Sequence, residues 1–376
     1  MENKEQAPDP AGAFKDAKVV HTLPWNREAL TSVAFVGNDK VAAANKGGDI
    51  LIWNLSVQDG ETPGPVRHLA GHRNEINRII VTPDGKTLIS ASSDHTVRYW
   101  DALSEDGESG TVNLNGLARA GVIHLNVKPP EPLEPVEVDV VVQKATRELN
   151  GHKEWVHGLA QTPDGKTLVT GDDKGVVIVW DLPAGKEIRR WRTKYWARAL
   201  GISPDGKTVA ASEYNSLRSP EKEKDSYRAF RLWNVETGEP KLDLSKDIKE
   251  TMAAVKYSAD GKWLAVCAGH SGEEKPKGKV MLLDPETGKM VRELAPPHLL
   301  GATDLAFHPD GKHLFSSGRD QLVKIWQLED GNYVRDFGQA KERGDWISAL
   351  SISPDGRLLA AADMAGQVLI YSLMST

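Results

Sequence analysis

Ile76-Asn77-Arg78-Ile79-Ile80-Val81 leads into Thr82-Pro83-Asp84-Gly85, and Thr87-Leu88-Ile89-Ser90 leads out of it. A third run, Thr96-Val97-Arg98-Tyr99-Trp100, closes on Asp101. β-Branched and aromatic residues in short runs bounded by Gly and Asp read as strands, because they fit a pleated, half-buried surface. Asp-Gly supplies the positive φ that a tight hairpin needs.

The turn phrase returns at Pro163-Asp164-Gly165, Pro204-Asp205-Gly206, Pro309-Asp310-Gly311 and Pro354-Asp355-Gly356, with Ala259-Asp260-Gly261 as a variant. Third runs end at Trp53-Asn54, Trp100-Asp101, Trp180-Asp181, Trp233-Asn234, Leu283-Asp284, Trp326-Gln327 and Tyr371-Ser372. These endings define seven units. A period of roughly 40 to 45 residues with Trp-Asp endings marks a propeller blade. The expected fold is all-β, a seven-bladed β-propeller of four-stranded antiparallel blades.

Three insertions interrupt the period. From Pro83 to Pro163 is 80 residues, nearly two repeats. The extra length, about Leu103 to Lys144, leaves blade two on the face of the Pro-Asp-Gly turns. It holds the runs Val122 to Val127 and Val136 to Val142 around a Pro-rich connector, Lys128-Pro129-Pro130-Glu131-Pro132. Two added strands on a stiff link are expected, with a degenerate eighth blade as the alternative. Asn215 to Tyr227 and Gly269 to Lys279 are charged insertions between strands two and three of blades four and five. They are expected to rise from the opposite face.

Bulk properties exclude several classes. The net charge is -6, from 47 basic and 53 acidic residues, so nucleic acid, which calls for a basic face, is not an expected partner. The single cysteine, Cys267, sits in an apolar run and reads as a buried hydrophobe. No apolar stretch approaches the ~20 residues of a membrane span, and Met1 to Lys18 is polar with no signal-peptide core. A cytoplasmic protein, monomeric by itself, is expected. Gly201 to Thr208 matches the phosphate-loop pattern formally. That loop must open a helix, whereas Val209-Ala210-Ala211-Ser212 reads as the next strand of a hairpin. The 11 histidines show no metal-ligand spacing, and no nucleophile elbow is present. No cofactor, no metal and no enzymatic activity are expected.

On these residues the chain resembles the WD-repeat β-propellers, over about residues 18 to 376, with residues 1 to 17 as a polar tail. The turn phrases resemble the bacterial members. Gly71-His72 and Gly151-His152 match the family's Gly-His before strand one, and His298 sits at the same offset after Pro297. The resemblance implies structural tetrads of His72, Ser90, Asp94 and Trp100, and of His298, Ser316, Asp320 and Trp326. Blade three offers His152, Thr170 and Trp180, but Lys174 stands where the acid is expected. Lys18-Val19-Val20-His21-Thr22-Leu23 resembles the family's closing strand. It would supply the fourth strand that blade seven lacks and cover an open edge.

The strongest functional signal is positional. The residue eight before each turn Pro is Glu75, Trp155, Trp196, Thr251, Gly301 or Trp346, with Tyr195 beside one Trp. Three Trp in six equivalent places, on the face opposite the turns, fit the aromatic anchors of a binding surface; interblade packing is the bland alternative. The resulting expectation is a non-catalytic scaffold that takes a protein or peptide through Trp155, Tyr195, Trp196, Trp346 and Glu75. A channel-mouth enzyme and a subunit of a larger complex are the alternatives.

Overall fold

The structure, a computed structural model, describes residues 14–25, 28–57, 61–115, 134–215, 227–269, 278–338 and 346–374. The elements among the described residues are strands, arranged in seven sheets. None of them is a helix long and apolar enough to cross a membrane. Blades two to six each contribute four antiparallel strands in sequence order, inner to outer.

Blade seven is assembled from both ends of the chain. Lys18–Pro24 pairs antiparallel with Gln367–Ser372, in a register that runs from Lys18 opposite Ser372 to Pro24 opposite Gln367. Leu23 is fully buried by that pairing. The ring is thereby closed, and the edge of Gln367–Ser372 is covered.

The second and third strands of the blades are buried on both faces, so they read as continuous apolar runs rather than alternating ones. Ala42, Ala43 and Ala44 in blade one and Ala360, Ala361 and Ala362 in blade seven are all at most 1% exposed. The core lies between blades. Ala34, Ile50 and Ile52 of blade one pack with Ile79, Leu88 and Trp100 of blade two. Each large side chain buried in this way contributes roughly 1.5–3 kcal/mol. Polar pegs also join the blades: Ser32 Oγ accepts from the Ile79 amide (3.1 Å), and Thr303 Oγ1 donates to the Ile347 carbonyl (2.6 Å).

The long insertion is built differently from the expectation. Glu137–Gln143 pairs antiparallel with Glu108–Asn113. Val122 to Val127, expected as its partner, lies outside the described residues. This hairpin leaves blade two but docks on blade one, where Glu137–Gln143 runs parallel to the outer strand Pro65–Leu69. Blade one thus becomes six-stranded, and the eight-blade count does not hold. Arg67 explains the docking. It is 4% exposed and donates to the carbonyls of Asp101, Ala102 and Ser104 and to Gln143 Oε1. Nearly all of Asn215 to Tyr227 and Gly269 to Lys279 lies outside the described residues.

Candidate interaction face

The entry to each inner strand is held by one repeated backbone bond. The carbonyls of Glu75, Trp155, Thr251, Gly301 and Trp346 accept from the amides of Ser93, Asp173, Gly269, Arg319 and Met364, at 2.8–3.1 Å. Each donor stands 18 residues after its acceptor. Trp196 and Tyr214, also 18 apart, pair directly as strand residues. In blade one the place falls to Ala29, which is buried and accepts from Lys46. The positions are therefore structurally equivalent, at the ends of the inner strands away from the Asp-Gly turns.

What the side chains do there differs. Trp155 is 48% and Trp346 39% exposed, unusual values for so large an apolar group. Trp196 is half-buried, edge-on to Tyr214 at 5.7 Å and covered by the Arg198 guanidinium at 4.6 Å. Arg198 in turn pairs with Asp173 (3.1 Å), whose amide bonds the Trp155 carbonyl. Trp155 and Trp196 are thus joined through Asp173 and Arg198 into one patch across blades three and four. Tyr195 is half-buried beneath Lys194 (5.4 Å). Glu75 is half-buried, and its carbonyl also accepts from Ser92 Oγ (2.9 Å).

A second patch lies on blades six and seven. Arg319 covers the Trp346 ring at 4.5 Å, and its amide bonds Gly301. Leu299 and Leu300, just before Gly301, are 69% and 52% exposed. Leu300 holds φ of 62°, a conformation that costs a bulky residue free energy and clusters at functional positions. Sampling one offset from the turn Pro misses these leucines, because that offset falls on Gly301.

The histidines that precede strand one in blades two, three and six are held in closed networks. His72 Nδ1 donates to Asp94 (2.8 Å), Ser90 donates to His72 Nε2 (2.6 Å), and Trp100 Nε1 donates to Ser90 Oγ (2.8 Å). The carboxylate can only accept, which fixes the tautomer. Burial lowers the His72 pKa despite Asp94. Burial opposes ionisation of Asp94, yet the bonds from His72 and Thr96 outweigh it and hold the carboxyl well below the usual range. His298 bonds Asp320 (2.8 Å) and Ser316 (2.6 Å), but Trp326 Nε1 is buried without an acceptor among the described residues. Blade three overturns the sequence reading. Asp172, at the end of strand two, takes the acid's place and bonds His152 (2.8 Å), while Thr170 links His152 to Trp180. Lys174 joins this network only through its backbone amide, which donates to Asp172 Oδ1 (2.9 Å); among the described residues no bond of its side chain enters it.

Other polar features among the described residues lie away from this face. A cleft of about 610 Å³ opens on the turn face between blades two and three, and its acids Asp84 and Asp164 are tied to Thr82 and Thr162. Cys267 is buried, and burial pushes its thiol pKa far up, so it is no nucleophile. The sequence reading sets aside no histidine as a ligand, yet the fold gathers His308, Asp310 and His313 at the blade-six turn.

Comparison with known proteins agrees with the ring. The family model described as WD40 (WD domain, G-beta repeat) matches residues 63–101, 143–181, 288–327 and 335–372. The Nuclear distribution protein PAC1 of Arthroderma benhamiae is 24% identical over 371 residues, covering 92% of this chain and 68% of that protein. PAC1 of Trichophyton verrucosum matches equally. The Small ribosomal subunit protein RACK1 of Glycine max is 22% identical over 359 residues, covering 82% of this chain and 96% of that protein. The bacterial style read from the turn phrases is not borne out by these relatives.

Proposed function

We propose that this seven-bladed ring, which the WD40 model matches over four segments, is a non-catalytic scaffold of the WD40-repeat kind that holds a protein or peptide on the face of Trp155, Trp196 and Trp346. The observation that carries this reading is the paired patches on that face. Each sets large apolar side chains beside an arginine, Trp155 and Trp196 with Arg198, and Trp346 and Leu300 with Arg319. Trp and Arg are the residues most enriched among binding hot spots. Each guanidinium lies on an aromatic ring, so it is held in place and loses little freedom on binding. Glu75 and Tyr195 belong to the rim around these anchors.

The scaffold is cytoplasmic, binds no nucleic acid and is monomeric without its partner. Its tetrad residues maintain blade geometry and do not touch the partner. The relative named as a ribosomal subunit protein supports placement within a larger assembly. Photo-crosslinking tests the reading. A crosslinker at position 155 or 346 should capture the same polypeptide from native lysate, and one at Asp84 on the turn face should not. Equal capture from both faces contradicts it.

A further inference from the structure

The turn of blade six departs from its sisters. In the five other Asp-Gly turns, a Ser or Thr donates its hydroxyl to the turn aspartate and accepts an amide five residues on. The donations are Thr82 to Asp84 (2.6 Å), Thr162 to Asp164 (2.6 Å), Ser203 to Asp205 (2.5 Å), Ser258 to Asp260 (2.7 Å) and Ser353 to Asp355 (2.6 Å). Blade six places His308 at the hydroxyl position and His313 five residues on. A hydroxyl suffices to fold this turn, so the two imidazoles need another explanation.

We propose that His308, Asp310 and His313 form a binding site for a divalent cation of the zinc class. One nitrogen of each ring and one carboxylate oxygen lie within 4.8 Å of one another. His308 Nδ1 is 3.1 Å and His313 Nδ1 2.7 Å from Asp310 Oδ2. Ligand atoms on a tetrahedral zinc with ~2.0–2.1 Å bonds stand about 3.3 Å apart, so the two imidazole–carboxylate separations open by only a fraction of an ångström to admit the ion, and the two ring nitrogens, within 4.8 Å of each other, settle to the same spacing. Two nitrogens and one oxygen suit zinc and its neighbours rather than calcium or magnesium.

The surroundings are those of a ligand histidine. His308 Nε2 donates to the Gly356 carbonyl (2.9 Å). A carbonyl only accepts, so Nε2 carries the hydrogen, and Nδ1 accepts the Asp310 amide (3.2 Å) while lying 3.1 Å from that residue's carboxylate. Outer bonds such as that to Gly356 orient metal ligands. Gly356 makes it possible: it holds φ of 74°, and a Cβ there would lie 2.8 Å from the His308 ring. Phe14 packs edge-on against both imidazoles, at 5.4 and 5.0 Å, and Phe315 stacks on His308 at 5.9 Å. Asp310 is exposed, which leaves the fourth coordination position to water.

The test uses tag-free, chelator-treated full chain, titrated calorimetrically with zinc alone. His308→Ser/His313→Thr restores the turn of the sister blades and should fold normally. His313→Gln is the milder control. One zinc per chain is expected for the parent, with affinity at least tenfold weaker in both variants and a zinc-dependent rise in melting temperature only in the parent. The proposal is overturned if the parent's Kd is weaker than ~100 μM, or if either variant binds zinc as tightly as the parent.

Discussion

Arg78 and Asp304 form an ion pair of 3.1 Å although 226 residues separate them in the chain. They belong to the inner strands of blades two and six, so the pair crosses the central channel. Asp304 is buried; the same oxygen also accepts the Leu350 amide of blade seven (3.1 Å), and its other oxygen has no hydrogen-bond partner among the described residues. Lys256, half-buried on blade five, lies within electrostatic reach of both, and burial lowers its pKa. Four blades are therefore coupled through one carboxylate.

Arg78→Met should destabilise the protein by about 2 kcal/mol. That is below the ~3–5 kcal/mol for breaking a fully buried pair, because Arg78 retains some solvent and Lys256 compensates. Combined with Asp304→Asn in a double-mutant cycle, the coupling should be ~1–3 kcal/mol in denaturant titrations. Additive losses would show that the two residues do not act on one another.

The tetrads predict a pattern that the sequence alone leaves incomplete for blade three, where it assigns no acid. Asp172→Ala and Asp320→Ala should each cost on the order of 1–3 kcal/mol, since each leaves a buried histidine without its acceptor. Lys174→Ala should be near neutral. The His72 pKa is lowered in the fold, so the unfolded chain binds the proton first as pH falls. Stability from His72 is therefore present above its ordinary pKa of 6.5 and is lost below it. Asp94 acts later: its contribution persists until the carboxylate range and is lost only in strong acid. Replacing His72 with Gln should lower overall stability and flatten its pH dependence between about 7 and 5.

Removing residues 1–24 should strip Lys18–Pro24 from Gln367–Ser372, expose an unpaired edge and uncover the pocket of Leu23. A lower melting temperature and concentration-dependent aggregation are expected. Light scattering and calorimetry would check both; an unchanged, monodisperse product would rule out the closing role.

Excising residues 105–142 should preserve the seven blades. Gln143 Nε2 donates to the Ser104 carbonyl (2.9 Å), so the cut ends already adjoin and a short Gly/Ser link spans them. Keeping Ser104 and Gln143 leaves acceptors for buried Arg67. Unchanged far-ultraviolet dichroism with a modest loss of stability is expected; insoluble protein would show that the hairpin is part of the fold's core.

Much of this was legible in the sequence, and the failures have physical causes. The Pro-Asp-Gly turns and Trp-Asp endings define the ring because each blade must repeat one hairpin chemistry. The hairpin partner Glu108–Asn113 is polar and Gly-containing, with one large apolar side chain, Val112, so it lacks the strand signal. Asp172 was missed because a carboxylate at the end of strand two reaches the same imidazole as one in the turn. Leu299 and Leu300 fall between two blades' periods, where no offset rule samples. His308 and His313 were passed over because the histidines, taken along the whole chain, were read as showing no metal-ligand spacing.

The most direct test of the central claim is a paired measurement of affinity and stability for Trp155→Ala and Trp346→Ala, using the polypeptide captured at the rim. Both residues lie outside the core, 48% and 39% exposed, so each truncation should change folding stability by less than about 1 kcal/mol. Binding should weaken by at least ~2 kcal/mol, about thirtyfold. Variants that bind with parental affinity but melt earlier would contradict the account and make the aromatic rim part of the packing.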